Sequence, residues 1–246
     1  MRVLITRPRD DSAATAARLQ AMGDEAVVEP LLDIRFISGP APALWDVQAI
    51  LITSANGARA LAAATPVRGL PLLAVGDASA AEAKRLGFAA VRSAGGDVAT
   101  LARLVETTLA PQGGALLQVA ANAEAGDLAG RLATAGFEVR KARLYESCPV
   151  KGLSPTLVES LKSARIGAAL FFSPRTARTF VTLAKAAGVS GDLRPVAAYA
   201  LSPAVAEELR AADWRAVRVA PRPEQDALLA ALDADRAAGC WETVGG

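Results

Sequence analysis

The chain has 246 residues, is 52% hydrophobic, carries a formal charge of +2 and contains no histidine. That length suits one large or two small domains with material enough to bury cores; no run of about 18 uncharged apolar residues suggests a membrane span, and the near-balanced charge without a basic cluster argues against a nucleic-acid partner. The lack of histidine excludes a Ser-His-Asp triad, a Cys-His pair, a histidine general base and histidine-ligated metals, so proton transfer falls to Tyr, Lys, Asp, Glu or water.

In chain order, the first apolar run is "RVLIT" (2–6), followed by Arg7 in "ITRP". Arg7 is either a surface arginine or an electrostatic partner for a carboxylate. The opening residues lack a signal-peptide pattern, which leads to the expectation of a cytoplasmic protein. Further strands are expected at 25–29, 49–53, 71–75, 89–93, 115–120, 137–146, 168–172, 196–201 and 215–220, with Ala-rich helical segments between most of them. Helices are expected to stop at Gly23, Gly87, Gly136 and Gly188, since glycine enters the left-handed region cheaply. Strand and helix alternating through short connections predict an α/β fold with doubly wound parallel sheets. Cys148 and Cys240 are too few and too scattered for a disulfide framework or a zinc site, so no metal is expected. Trp45, Trp214 and Trp241 show no stacking pattern in the sequence.

Two extended runs break the rhythm, "EPLLDIRFI" (29–37) and "VRKARLYESCPV" (139–150). If they pair, the chain crosses between two bodies twice. The expected division puts residues 1–34 and 149–246 in one α/β domain and 38–138 in another. Residues 35–37 and 139–148 form the linker strands of a two-stranded β-ladder. Internal similarity agrees with two like domains. Residues 50–64 resemble 170–184, 73–91 resemble 198–217, and 2–30 resemble 115–143.

The turns after the strands hold the candidate binding residues. "ILITSANG" ends an apolar strand in Thr53 and Ser54, then Asn56; Ser173-Pro174 and Ser202-Pro203 repeat the form. Capping of the next helix explains each serine singly, as it does Asp97 in "GGDVATLA" and Ser154 in "SPTLVE". As a set, these turns lie at the carboxyl edges of the sheets, where ligands bind and helix N-terminal amides attract anions. That suits a large, multiply anionic small molecule. No Gly-x-Gly-x-x-Gly follows a strand and no Walker A sequence occurs.

"VLITRP", "ILITSANGARAL", "LAVGDASAAEAKRLGF", "GGDVATLARLV", "LYES" and "LFFSPRTARTF", in this order and spacing, resemble the uroporphyrinogen-III synthase family. The resemblance runs to about residue 230. It implies two similar α/β domains joined by a two-stranded ladder, and a reaction without a cofactor. In that reaction hydroxymethylbilane, a linear tetrapyrrole with eight carboxylates, loses water and closes with inversion of its last ring. The family's linker tyrosine falls on Tyr145, its hydroxyl residue after "VG" on Ser79, and the serine ending the repeated strand on Ser54 and Ser173. Tyr145 is the expected catalytic group; Arg7, Thr53, Ser54, Asn56, Ser79, Ser173 and Ser202 are the expected substrate-binding residues. Tyr199, inside an apolar run, is expected in the core. The chain departs from the family at Ala204 and Val205, where threonines are common, and at 118–126, which lacks an arginine-glycine pair. Nothing requires more than a monomer. Two rivals are a cytosolic two-lobed anion-binding or regulatory protein without catalysis, and a nucleotide-sugar transferase, which lacks a phosphate motif here.

Overall fold

The computed structural model describes residues 1–121 and 127–238. It opens with β1 (Arg2–Ile5), α1 (Arg9–Ala21), β2 (Glu25–Val28) and β3 (Leu32–Phe36). Next come β4 (Val47–Ile52), α2 (Ala55–Ala64), β5 (Leu72–Ala74), α3 (Asp77–Arg85), β6 (Val91–Ser93) and α4 (Val98–Thr108). These are followed by β7 (Ala115–Ala120), α5 (Leu128–Thr134), β8 (Val139–Arg143), β9 (Tyr145–Pro149) and α6 (Pro155–Lys162). The rest comprises β10 (Ala168–Phe171), α7 (Pro174–Ala186), β11 (Ala197–Ala200), α8 (Pro203–Leu209), β12 (Ala216–Val219) and α9 (Gln225–Ala237).

The chain divides into two units, Met1–Asp33 with Cys148–Gly246, and Ile34–Ser147. Each holds one five-stranded sheet, ordered β12-β11-β10-β1-β2 in the first and β6-β5-β4-β7-β8 in the second. Neighbouring strands are parallel throughout both sheets. The two orders correspond element for element: β4 to β10, β5 to β11, β6 to β12, β7 to β1 and β8 to β2. Those are the pairs that the internal sequence similarity joins. The second unit is therefore a circular permutation of the first, with the first unit's β1-α1-β2 supplied from the start of the chain.

Central strands read as near-continuous apolar runs, interrupted by Gln48 in β4 and the buried Gln118 in β7, because helices cover both of their faces. Every residue of β7, β10 and β11 is buried. In the first unit, Leu4 and Phe171 face one core with Phe180, while Val3, Ile5, Leu170 and Tyr199 face another with Leu228 and Leu232. Phe171 and Phe180 meet Trp214, whose ring stacks on Phe180 with centroids 5.6 Å apart. Trp214 thus has aromatic partners that linear spacing does not reveal. Trp45 is exposed and lies under Arg140, whose guanidinium carbon is 4.1 Å from the ring centroid. Trp241 and Cys240 lie outside the described residues. Gly23 and Gly136, which follow the equivalent helices α1 and α5, have φ of 82° and 89°, a region that a side chain would disfavour.

β3 and β9 form a separate two-stranded sheet. Residues 139–143 belong elsewhere: they are β8, the edge of the second sheet, in register with β7 from Leu116↔Val139 to Ala120↔Arg143. The ladder strand begins only at Tyr145. The alternating charges of "VRKAR" mimic a linker in the sequence because an edge strand leaves much of its surface in water, where Arg and Lys also discourage further pairing.

Candidate functional site

In the second unit, β4 delivers Thr53 and Ser54 to the start of α2. Ser54 is the N-cap, with extended backbone, and its Oγ accepts a hydrogen bond from the Gly57 N–H at 3.2 Å. The same Oγ lies 2.8 Å from the Tyr145 hydroxyl, and either oxygen can donate. Tyr145 opens β9 and is 5% exposed; its ring belongs to the core with Ile52, Ala58, Leu117 and Val119. Its ring thus packs in the core while its hydroxyl makes a polar contact.

Asn56 stands in the first turn of α2 and is 8% exposed. Its Oδ1 accepts from Arg59 Nη1 at 2.8 Å, and Arg59 Nε donates to Glu82 Oε1 on α3 at 2.6 Å. Arg85 donates to both oxygens of the same carboxylate, at 2.8 and 2.7 Å. Hydrogen bonds from Arg85 and then Arg59 outweigh the cost of burial and hold Glu82 down at a pKa of about 2. Ser79, also on α3, is buried. It sits inside the first turn, since the N-cap is Gly76.

In the first unit, Arg7 follows β1, with its guanidinium carbon 4.4 Å from the centroid of Phe172. Its Nη1 donates to Gln225 Oε1 at 2.7 Å, and the Thr15 hydroxyl donates to the same oxygen at 2.9 Å. Ser173 caps α7: its Oγ accepts from the Thr176 N–H at 3.1 Å and pairs with the Thr176 hydroxyl at 2.6 Å. Ser202 occupies the N-cap of α8 without a side-chain cap bond. Ala204 is exposed, whereas Val205 is a core residue.

Thr53, Ser54, Asn56 and Tyr145 thus gather around one turn, with Ser79 after the neighbouring strand β5. Arg7, Ser173 and Ser202 follow the adjacent strands β1, β10 and β11 at the carboxyl edge of the first sheet. In each sheet the winding reverses between the first strand and the strand beside it, β4/β7 and β10/β1, the position where such folds bind ligands. The other two serine and aspartate turns are structural. Ser154 is tied to Glu29 by its N–H at 2.6 Å and its hydroxyl at 2.8 Å, and Asp97 caps α4 through the Thr100 N–H at 2.9 Å. Residues 122–126, part of the stretch lacking the arginine-glycine pair, lie outside the described residues. Among the described residues no group of three or more His, Cys, Asp or Glu could hold a metal ion, and no helix is long and apolar enough to cross a membrane.

Sequence reasoning missed Arg59, Glu82, Phe172 and Gln225, the residues that hold Asn56 and Arg7. One signal was available. Arg59 stands five positions after the N-cap Ser54, as Arg178 does after Ser173. Glu82 stands six after Gly76, as Glu208 does after Ser202. The repeat therefore contains the Arg–Glu pair twice, and Arg178 is indeed paired in two-pronged fashion with Glu208.

The sequence matches the family described as Uroporphyrinogen-III synthase HemD over residues 13–230. Searched against curated proteins, it has no match. Two solved structures share the fold. One is a mutant uroporphyrinogen III synthase of the extremely thermophilic bacterium Thermus thermophilus, 21% identical, with a TM-score of 0.55 over 96% of this chain and 99% of the other. The second is uroporphyrinogen-III synthetase of Helicobacter pylori, 14% identical, with a TM-score of 0.65 over 95% of this chain and 99% of the other. With a family match spanning both sheets and the two-stranded ladder, the chain belongs to the uroporphyrinogen-III synthase family.

Proposed function

We propose that this chain closes hydroxymethylbilane to uroporphyrinogen III, with loss of water and inversion of the last pyrrole ring. The family match over residues 13–230 carries this reading, and it leaves the non-catalytic anion-binding alternative without specific support. The substrate's eight carboxylates are met by helix N-terminal amides and hydroxyls at the turns bearing Thr53, Ser54, Asn56 and Ser79, and by Arg7 and the turns at Ser173 and Ser202. Amides at helix starts suit anions because their N–H groups are unused by the helix and the dipole is positive there. At the turn after β11, where Ala204 and Val205 carry no hydroxyl, the Ser202 hydroxyl and backbone amides are the donors.

Tyr145 is the proton donor for the departing hydroxyl. A tyrosine phenol carries a proton that it can donate, and so serves as a general acid. When Ser54 donates its proton to the Tyr145 oxygen across the 2.8 Å contact, the phenolic proton is available to the substrate. The pyrrole nitrogen pushes electrons out as the C–O bond breaks, and the hydroxyl leaves as water with the tyrosine's proton. The proton released when the closed ring regains aromaticity restores the phenol. The remaining catalysis is positioning, holding the two ends of the tetrapyrrole together so that closure outruns unassisted chemistry. The reading takes a single chain as the working unit, in the cytoplasm; light scattering and cell fractionation test those two parts.

The deciding experiment is isomer analysis of the porphyrin formed from hydroxymethylbilane. Unassisted closure gives the symmetric type I isomer, and this protein is expected to give type III. Type I alone overturns the proposal.

A further inference from the structure

The two Arg–Glu pairs occupy equivalent places in the repeat, yet they differ in what they hold. The first unit's pair joins α7 to α8 at the surface, with Arg178 68% exposed along its side chain. The second unit's pair joins α2 to α3 and is nearly enclosed, with Arg59 and Glu82 at 13% and 11%. Only Arg59 has an acceptor one helical turn before it. Asn56 stands there, and its counterpart beside Arg178 is Arg175, which has no acceptor to give.

A primary amide has two faces, an oxygen that repels carboxylates and an NH2 that binds them. The Arg59 guanidinium engages the oxygen at 2.8 Å, and an oxygen so engaged fixes which way the amide is turned. The NH2 has no acceptor among the described residues. Glu82 in turn fixes the fork of Arg59, and it stays ionised across the physiological range because Arg85 and Arg59 both hydrogen-bond to it.

We propose that Arg59, anchored by Glu82, is a positioning residue that sets the Asn56 amide as a one-way hydrogen-bond donor for a substrate carboxylate at the start of α2. This rests on the reading of the chain as a uroporphyrinogen-III synthase. The twin pair Arg178–Glu208 has no such role and supplies an internal control. The guanidinium also polarises the amide it touches, which strengthens the NH2 as a donor.

The test is steady-state turnover of hydroxymethylbilane by the wild-type chain and by Asn56→Asp, Arg59→Met and Arg178→Met. Asn56→Asp keeps an acceptor for Arg59 and the side-chain shape, but replaces the donor with an anion. It is expected to raise KM about 10-fold or more with kcat changed little, as for lost ground-state binding. Arg59→Met leaves Glu82 paired with Arg85 and is expected to raise KM about 3- to 10-fold. Arg178→Met is expected to leave KM and kcat unchanged while removing the equivalent bridge. Native KM in Asn56→Asp overturns the proposal, as does an equal rise in KM in Arg178→Met. If Arg59→Met fails to fold, Asn56→Asp still decides, because its helix contact is preserved. Formation of type III product by the wild-type chain alongside unmoved KM values in the variants defeats this inference alone; type I product from the wild type defeats the functional reading and this inference with it.

Discussion

At the scale of single residues, Tyr145 carries the sharpest expectation. Its ring is core and its hydroxyl is polar chemistry, so the two parts can be removed separately. Tyr145→Phe keeps the ring among Ile52, Leu117 and Val119 and deletes the contact to Ser54. The rate should fall by about 10- to 100-fold with folding intact, since a general acid contributes up to about 10⁴ and water can substitute in part. Native turnover by this variant removes the catalytic assignment and leaves the packing role. Tyr145→Ala should instead lose about 3–5 kcal/mol of stability, the usual cost of emptying a buried aromatic site, readable by denaturant unfolding. Tyr145 was legible in the sequence through a resemblance, but its partner Ser54 stands far away along the chain, and only the return of β9 beside the start of α2 brings the two oxygens together.

At the scale of elements, the Arg–Glu pairs show how one repeated helix contact acquires different weight in the two units. Glu82 has a carboxyl held at about 2 against an ordinary value of 4.5. A depressed pKa means the folded state binds the proton less readily than the unfolded one. The stabilisation is therefore complete above about pH 4.5 and drains away as pH falls toward 2. Its ceiling is on the order of 3 kcal/mol, and solvent screening on the side of the exposed Arg85 leaves less than that. Urea unfolding of the wild-type chain and Glu82→Gln should give a stability gap that is full at about pH 6 and closes by about pH 2; a gap independent of pH contradicts the ion-pair account. Glu208 is also shifted downward by Arg178, but that pair is solvent-exposed and screened, so Glu208→Gln should change stability little. β8 teaches a related lesson. Its charged sequence reads as a connector, whereas its place at a sheet edge lets lysine and arginine reach water from a paired strand.

At the scale of the whole molecule, binding a ligand with eight carboxylates through arginine and helix termini should depend on ionic strength. Exposed charges are screened over about 8 Å at physiological salt. KM for hydroxymethylbilane should therefore rise clearly between about 20 mM and about 500 mM salt, as the Debye length falls from roughly 20 to roughly 4 Å. An unchanged KM would assign binding to apolar contacts with the pyrroles. Activity should also survive exhaustive chelation, because the proposed steps use a phenol, a pyrrole nitrogen and amides; loss of turnover that added metal restores would count against them.

Much of this was fixed by the order of residues alone. Alternating apolar strands and alanine-rich helices determine parallel sheets, because backbone hydrogen bonding and burial leave few other ways to cover both faces. The internal similarity determines that the two sheets are alike, and the serines at strand ends determine helix starts. The tertiary structure decided what depends on distance between remote residues. It set Tyr145 against Ser54, placed Gln225 behind Arg7, assigned 139–143 to a sheet edge, and made one Arg–Glu pair enclosed and its twin exposed. Local propensity and periodicity are encoded within a few residues, whereas a hydrogen bond between side chains 91 positions apart exists only once packing has fixed both backbones.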